Sequence, residues 1–310
     1  MRKFLILILV SFLFADFSDF QKKFIINNSY TIDPYNNNRV TSESQGYTLY
    51  LCIIYNKPKL FESIWKWTKK NMQRKDFLFA WRYNKKIIDK NNAVDGDFFI
   101  AYSLLLAYEK WGNKTYLEEF HKIFKSVSKL FLPVLWNNSI DVLLFPAKYG
   151  FLKNNILTLF PSYYIPFIFK KFSLYNSFYT SAYKYSYTLF KTDNLTTHIN
   201  YNLINKSFYT GAYMDLDVYR IIWYSYLDNY DVSKFKNTFE IANQFFKKHN
   251  FLPLKLYING KYEKKSPYCV YKWFYLVYNN KKYLKKYNEL KKFDKKNYFC
   301  EALNLMKGKK

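Results

Sequence analysis

Residues 93–111 read AVDGDFFIAYSLLLAYEKW, and the second half of this stretch decides the fold class. From position 100 its apolar or small side chains recur at i, i+3, i+4, i+7 and i+11, which is the spacing of one helical stripe. These side chains are Ile100, Ser103, Leu104, Ala107 and Trp111. The spacing predicts a helix packed against the core, followed by a short break at Gly112-Asn113.

The same helical periodicity covers most of the chain. It predicts helices after Pro58, over 117–127, over 235–246 and over 268–278, the last with Ser266 as N-cap and Pro267 as the first helical residue. Strand signals are scarce, and only residues 252–262 suggest a small hairpin, around Asn259-Gly260. About twelve helices of ordinary length fit the chain. We therefore expect an all-α fold, and twelve helices is the number of an (α/α)6 barrel, although periodicity alone leaves an α-solenoid open.

Composition excludes several classes of protein. The 310 residues are 50% hydrophobic and 23% aromatic, which excludes a disordered or collagen-like chain. Only seven glycines argue against a Rossmann or P-loop nucleotide site. The formal net charge is +26, but it consists mostly of lysines spread from end to end. We interpret it as a solvated basic surface and expect no nucleic-acid partner.

The amino terminus has the layout of a secretory signal peptide. Residues 1–15 read MRKFLILILVSFLFA, with a charged start, an apolar stretch and a small residue at the end. This segment is too short to cross a bilayer comfortably. We expect a signal peptide over 1–15, one catalytic domain over 16–310, a periplasmic or secreted location, and no stable membrane insertion after removal of the signal.

The cysteines and histidines give no metal site. Three cysteines at 52, 269 and 300 form no CxxC pair, and the three histidines are far apart in sequence. Cys52 is expected to be a buried small hydrophobe, and whether Cys269 and Cys300 pair stays open. No metal and no cofactor are expected.

Three acidic residues stand at the starts of predicted helices. Glu43 lies in TSESQGY, Asp95 in NNAVDGDFF and Asp217 in YMDLDVYR. Any one of them could simply cap its helix. Together they fit another chemistry, because cleavage of a glycosidic bond needs one carboxyl that donates a proton and another that activates water. Sugar rings also stack on aromatic side chains, and candidates for such a cleft are Tyr47, Trp81, Tyr163 and Tyr213.

The motifs around these residues resemble glycoside hydrolase family 8, including the periplasmic endoglucanases associated with bacterial cellulose synthesis. The resemblance covers most of the chain after residue 15. The family's SEGQGYG, LFAWRW, A-[ST]-D-[AG]-D, LLPGKVGF, NPSY and D-A-x-R motifs correspond to residues 42–48, 78–83, 93–97, 144–151, 160–163 and 217–220. Ser44 and Thr48 replace glycines of the family pattern, Val94 replaces a hydroxyl residue and Phe160 replaces an asparagine.

The resemblance implies an (α/α)6 barrel and an inverting mechanism. It implies that Glu43 is the general acid, that Asp217 is the general base, and that Asp95 binds and distorts the sugar at the cleavage point. It also implies a substrate-binding set of Tyr47, Trp81, Arg82, Asp97, Tyr163 and Arg220. Tyr163 and Arg220 would orient the base.

The function implied is an endo-β-1,4-glucanase acting on cellulose or a related β-glucan. The alternatives are a family 8 enzyme for xylan or chitosan, or a catalytically weak polysaccharide-binding protein of an export pathway. The net charge of +26 argues against chitosan as the substrate, because the amines of chitosan are cationic and would be repelled. A β-glucan chain is the expected partner, with a functional link to a cellulose synthase complex, and a monomer is expected.

Overall fold

The computed structural model describes residues 17–136, 139–294 and 296–306. The segment expected to be a signal peptide, residues 1–15, lies outside this part. The described chain divides into two compact units, which we call the first unit (17–128 and 296–306) and the second unit (129–294). The single catalytic domain over 16–310 stays a prediction.

Helices dominate the described residues, which contain twelve α-helices. In chain order they are α1 (17–24), α2 (Ser42–Ile54), α3 (Pro58–Met72), α4 (Val94–Trp111), α5 (Lys114–Val127), α6 (Pro166–Phe172), α7 (Phe178–Phe190), α8 (Leu216–Leu227), α9 (Glu240–His249), α10 (Tyr268–Tyr278), α11 (Lys281–Lys291) and α12 (Tyr298–Leu305). Short 3-10 turns cover Pro34–Asn36, Ser128–Leu130, Pro161–Tyr163 and Val232–Phe235. The prediction of about twelve helices is confirmed.

The strands are short and antiparallel. They are β1 (Ile25–Ile26), β2 (Tyr30–Thr31), β3 (Val40–Thr41), β4 (Arg82–Asn84), β5 (Lys86–Asp89), β6 (Phe131–Trp136), β7 (Ser139–Leu144), β8 (Leu152–Lys153), β9 (Ile156–Leu159), β10 (Ile199–Asn202), β11 (Ser207–Thr210), β12 (Tyr213–Asp215), β13 (Pro253–Tyr257) and β14 (Tyr262–Lys265). They form the small sheets β1-β2, β3-β4-β5, β6-β7, β8-β9-β10-β11 and β12-β13-β14.

The hairpin around Asn259-Gly260 is present as β13–β14, but the expectation of a single hairpin was wrong. Strands of two to six residues are too short to show an alternating pattern clearly. The turn between β8 and β9 also lacks the usual glycine signal. Asn154 and Asn155 between β8 and β9 both have positive φ, at 49° and 60°, so asparagine takes the left-handed conformation that glycine usually marks.

Helix boundaries follow the local signals at most ends. The break at 112–113 is confirmed, since Gly112 ends α4 in the left-handed region with φ of 73° and Asn113 caps α5. The expected N-cap of α10 was one residue off. Pro267 is the cap residue, and the Ser266 hydroxyl instead donates to the Pro253 carbonyl at 2.7 Å.

In the first unit, α2 and α4 approach each other closely because glycines lie at the contact. A Cβ atom at Gly46 would lie 2.7 Å from the Cβ of Phe99, and one at Gly96 would lie 2.4 Å from Ser42 Oγ and 2.7 Å from Glu43 N. No other side chain fits at either position without movement of the backbone. The two glycines therefore fix the relative position of the two helices.

In the second unit, α8 is buried along most of its length. Tyr219 is fully buried and packs edge-on against Phe274 of α10, with ring centroids 5.3 Å apart. This contact holds α8 against α10, so the start of α8 is supported by packed aromatic side chains. Within the described residues, no helix combines the length and apolar character needed to cross a membrane.

The close approach of α2 and α4 predicts a large cost for Gly46→Ala. The added methyl group meets the Cβ of Phe99 on a packed helix, so we expect the free energy of unfolding to fall by about 1–3 kcal/mol. Urea denaturation of the variant and the wild type measures this difference in the free energy of unfolding. Gly112→Asn is the control, because space around Gly112 is open and asparagine tolerates its φ. Equal stability of Gly46→Ala and the wild type would contradict the packing described here.

Candidate active site

Glu43 is the second residue of α2, and another residue caps this helix. The Thr41 hydroxyl accepts a hydrogen bond from the Ser44 N–H at 3.0 Å, and Ser44 Oγ accepts one from the Thr41 N–H at 3.1 Å. This capping box satisfies backbone donors of the first turn. The half-buried Glu43 carboxylate is therefore not the helix cap, and it receives a hydrogen bond from the Tyr47 hydroxyl at 2.9 Å.

Tyr47 lies one helical turn after Glu43 and is fully buried. Its ring packs edge-on against Phe99 of α4, with centroids 4.7 Å apart. The structure thus places Tyr47 inside the first unit, where its hydroxyl holds the side chain of Glu43. Its contact with substrate stays a prediction, and its observed contact is with Glu43.

Two residues that depart from the family pattern, Ser44 and Thr48, lie inside the first unit. Ser44 and Thr48 are both buried, and the Thr48 hydroxyl donates to the Ser44 carbonyl at 2.9 Å. Thr48 also accepts from the Thr31 hydroxyl at 2.8 Å. Both hydroxyl residues are therefore engaged within the first unit, and neither side chain covers the outer face of α2.

Trp81 and Arg82 lie next to the start of α2. The Ser42 N–H donates to the Trp81 carbonyl at 3.1 Å, and the strand β4 that begins at Arg82 pairs with β3. The Trp81 indole donates to Asp89, and this hydrogen bond is the main reason that the pKa of Asp89 lies below its usual range. The half-buried indole is thus held in place by its hydrogen bond to Asp89.

Arg82 is exposed and adds a cation near this ring. Its guanidinium lies 5.9 Å from the Trp81 ring centroid, and that of Arg39 lies 5.8 Å from it. The two guanidinium groups can donate hydrogen bonds to hydroxyl groups of a ligand stacked on the indole.

Asp95 is the second residue of α4, and only 2% of it is exposed. Its Oδ1 accepts a hydrogen bond from the Gly96 N–H at 2.8 Å. Because Gly96 packs directly on the backbone of Ser42 and Glu43, the first turns of α2 and α4 touch. The structure therefore brings the residues around Glu43 and Asp95 together in one place.

Asp97, expected to bind substrate, lies fully inside the first unit. Its Oδ1 accepts from the Phe79 N–H and its Oδ2 from the Asn92 side chain, each at 2.8 Å. Burial raises the pKa of Asp97 to about 7. Both oxygens bond to protein, so Asp97 holds the segment that carries Trp81, and substrate binding by Asp97 stays a prediction.

Asp217 is the second residue of α8, in the second unit, and 44% of its side chain is exposed. Arg220, one turn later, is buried, and its Nη2 lies 3.7 Å from Asp217 Oδ1. The Arg220 guanidinium also lies 5.7 Å from the ring centroid of Tyr163. The second unit thus groups the three residues that the resemblance assigns to the base and its orientation.

Tyr163 has an aromatic neighbour that the sequence pattern did not anticipate. The Phe160 ring, where the family pattern has an asparagine, stacks on Tyr163 with centroids 5.3 Å apart and an interplanar angle of 23°. Tyr163 itself is half-buried. Phe160 therefore extends the aromatic surface that Tyr163 forms.

Sequence reasoning missed several residues that hold these groups. Asp215 is the N-cap of α8, and its Oδ1 accepts from the Asp217 N–H at 3.0 Å and from the Thr197 hydroxyl at 2.7 Å. The Asp-x-Asp pattern at the start of α8 could have indicated this role of Asp215. An aspartate side chain often accepts a hydrogen bond from the backbone N–H two residues later. Asn92 and Asp89 gave no signal, because their contacts with Asp97 and Trp81 follow no recognised short-range motif.

The three candidate carboxylates share one arrangement. Each is the second residue of its helix, and Thr41 and Asp215 carry the capping of α2 and α8. Carboxylates in such positions can donate or accept protons at a bound ligand, while aromatic rings nearby offer faces for sugars. This is chemistry of the glycoside hydrolase class.

Comparison with known proteins gives the family. The sequence profile of "Glycosyl hydrolases family 8" matches residues 10–248, and the chain belongs to this family. An endoglucanase of Cellulomonas uda is 34% identical over 151 residues, which cover 47% of this chain and 41% of that protein. A probable endoglucanase of Novacetimonas hansenii is 31% identical over 161 residues, covering 50% and 46%. The match thus spans less than half the length of these curated relatives.

Comparison with solved structures gives the fold. The crystal structure of an endoglucanase from Komagataeibacter sucrofermentans superposes with a TM-score of 0.80 at 24% identity, covering 94% of this chain and 95% of that chain. The fold class expected from the sequence, an all-α (α/α)6 barrel, is thereby confirmed. The short sheets are formed by segments that lie between helices in the chain.

The hydrogen bond from Tyr47 to Glu43 predicts an effect of Tyr47→Phe on turnover. Phenylalanine keeps the packing against Phe99 but loses the donor, so we expect kcat on a soluble β-glucan to fall about tenfold with little change in thermal stability. Initial rates at saturating substrate measure kcat. Tyr50→Phe, in the same helix, is the control and should keep the wild-type rate. An unchanged kcat in Tyr47→Phe would contradict this role.

The raised pKa of Asp97 predicts a pH dependence of stability. The pKa is about 7 in the folded protein, above the ordinary value, so folding takes up a proton between pH of about 4 and about 7. This contribution to the free energy of unfolding is fully present below the unfolded pKa and is lost as pH rises, by at most about 1.4 kcal/mol per pH unit. Asp97→Asn should remove that slope, which urea denaturation at several pH values measures. The exposed Asp193→Asn should keep it, and a wild-type slope in Asp97→Asn would contradict the assignment.

Proposed function

We propose that this protein is an endo-β-1,4-glucanase that hydrolyses cellulose or a related β-glucan with inversion at the anomeric carbon. The observation that carries the proposal is the placement of Glu43 and Asp217. Each is the second residue of a helix that another residue caps, and each carboxylate is held by a side chain one turn later, Glu43 by Tyr47 and Asp217 by Arg220. Membership of family 8 and the relatives that are endoglucanases support the same activity.

Glu43 acts as the general acid. It donates its proton to the glycosidic oxygen while the bond from that oxygen to the anomeric carbon breaks. The Tyr47 hydroxyl, 2.9 Å from Glu43 Oε1, fixes the direction in which the carboxyl points. The leaving sugar departs as a neutral alcohol.

Asp217 acts as the general base. It takes a proton from a water molecule whose oxygen attacks the anomeric carbon from the opposite face, so the product has the inverted configuration. Arg220, 3.7 Å from Asp217 Oδ1, holds the carboxylate and is itself packed beside Tyr163. Proton exchange with solvent then restores both groups.

Asp95 binds the sugar at the cleavage point and favours a distorted ring, by the family resemblance. The contact of α4 with α2 at Gly96 supports this role, because it places the first turn of α4 beside the residue proposed as acid. Trp81 and Tyr163, both half-buried, supply faces on which glucose rings can stack.

We also propose a location and a partner for this protein. The leader-like residues 1–15 and the family resemblance support a periplasmic or secreted protein that acts as a monomer on a β-glucan chain. We propose that it trims glucan during cellulose secretion, in functional connection with a cellulose synthase complex. The Novacetimonas relative supports the glucanase part of this role.

The activity is tested by the release of reducing sugar from carboxymethylcellulose. Glu43→Gln and Asp217→Asn keep the shape of each side chain but remove its proton transfer, so we expect kcat to fall by a factor of about 10²–10⁴. Glu118→Gln, on the exposed side of α5, should retain wild-type activity. The wild type assayed on xylan and chitosan as well as carboxymethylcellulose determines the substrate class.

Different results separate the alternatives. Activity on xylan with none on cellulose derivatives would identify another family 8 specificity. Folded protein that binds β-glucan without hydrolysing any glycan would support the polysaccharide-binding protein. Full activity in Glu43→Gln would show that the acid is misassigned.

A further inference from the structure

A second carboxylate lies at the start of α8, beside the residue proposed as base. Asp215 is the last residue of β12 and the N-cap of α8, and it is partly buried. Its Oδ1 accepts two hydrogen bonds, one from the Thr197 hydroxyl at 2.7 Å and one from the Asp217 N–H at 3.0 Å. It is thus bonded directly to the backbone of Asp217.

We propose that Asp215 is a positioning residue for Asp217 that also increases its basicity. The proposal rests on the function proposed above and goes beyond it, because Asp215 belongs to no catalytic set considered there. Its carboxylate fixes the first turn of α8, and its negative charge opposes the ionisation of the neighbouring carboxyl. A base with a higher pKa removes a proton from water more effectively.

The hydrogen bonds explain why Asp215 fixes the position of Asp217. The bond from the Asp217 N–H ties the backbone of that residue to a side chain that Thr197 anchors from the segment before β10. The adjoining backbone is also held, since the Thr197 N–H donates to the Tyr213 carbonyl at 2.9 Å. Asp217 therefore projects from a fixed turn while 44% of its side chain remains exposed.

The charged groups around Asp215 do not remove its influence on Asp217. Arg220, one turn along α8, faces both carboxylates, and its attraction favours their ionised forms. Lys255 of β13 is the cross-strand partner of Asp215, but its ammonium lies 3.3 Å from Glu263 and 4.1 Å from the Tyr213 ring centroid. The Lys255 ammonium therefore also interacts with Glu263 of β14 and with the Tyr213 ring.

Two tyrosines near Asp215 respond to its charge. Burial and then Asp215 raise the pKa of Tyr213 and of Tyr219, so both phenols stay neutral at the pH of the reaction. Burial also raises the pKa of Asp215 itself, while the Thr197 hydroxyl partly offsets this effect. His198 of the same segment packs edge-on to Tyr213, with centroids 5.6 Å apart.

The test is the pH dependence of kcat in Asp215→Asn. Asparagine caps a helix as well as aspartate does, so the fold and KM should change little. In the wild type, two carboxyls titrate along the acidic limb of log kcat against pH; in the variant, only one does. We expect the limb to move to lower pH by about one unit and the plateau kcat to fall about threefold to tenfold.

Two further variants separate positioning from capping. Asp231→Asn is the matched control, because Asp231 also caps a turn and accepts from the N–H two residues on, that of Ser233 at 3.1 Å. Its profile should coincide with that of the wild type. Thr197→Val removes the hydroxyl that favours the ionised form of Asp215, so it should lower the plateau kcat in the same direction as Asp215→Asn, by a smaller factor.

A measurement without turnover keeps this inference separate from the proposed activity. In protein with ¹³C-labelled aspartate carboxyl groups, the resonance lost in Asp217→Asn identifies Asp217, and we expect it to titrate at lower pH in Asp215→Asn. An unchanged Asp217 titration or a kcat profile identical to the wild type would overturn the inference. If the wild type hydrolyses no glucan but the resonance moves as expected, the proposed function fails while the coupling of the two carboxyls stands.

Discussion

The close approach of α4 to α2 at Gly96 is the constraint on which the first part of the site depends. A Cβ atom there would lie 2.4 Å from Ser42 Oγ and 2.7 Å from Glu43 N, so the two first turns can touch only if residue 96 has no side chain. This contact sets Asp95 beside the backbone of Glu43. The fully buried Asp97 then fixes the neighbouring segment through the Phe79 N–H, at 2.8 Å. Gly96 therefore sets where Glu43 and Asp95 lie relative to each other in the first unit, and Asp97 holds the segment that carries Trp81.

In α2 and α8, the residue that caps the helix differs from the carboxylate proposed to act in catalysis. A carboxylate at a helix start usually satisfies the unpaired N–H groups of the first turn. Here Thr41 does so for α2 and Asp215 for α8, which leaves Glu43 and Asp217 at the second position of each helix. Tyr47 and Arg220, which contact these two carboxylates, are buried, whereas Glu43 and Asp217 are half-buried. Such preorganisation costs nothing at the moment of reaction, since the groups are already in place.

The sequence predicted the helices well because their signals are local. The apolar stripe after Ile100, the break at Gly112 and the proline at 58 each act within a few residues of where they stand. The short sheets were missed because asparagines such as Asn154 replace the glycines that mark tight turns. The support of the site was missed for another reason. Asp97 contacts Phe79 across 18 positions and Thr197 contacts Asp215 across 18, and single-sequence patterns carry no information on such pairs.

We propose that two carboxylates, Glu43 and Asp217, act on opposite faces of one glycosidic bond. The anomer first released from a soluble β-1,4-gluco-oligosaccharide tests this most directly, and ¹H NMR early in the reaction detects it before mutarotation. We expect the α-anomer to appear first, because water attacks once and inverts the centre. Initial release of the β-anomer would contradict it, because retention requires a covalent intermediate and a nucleophile in place of the base assigned to Asp217.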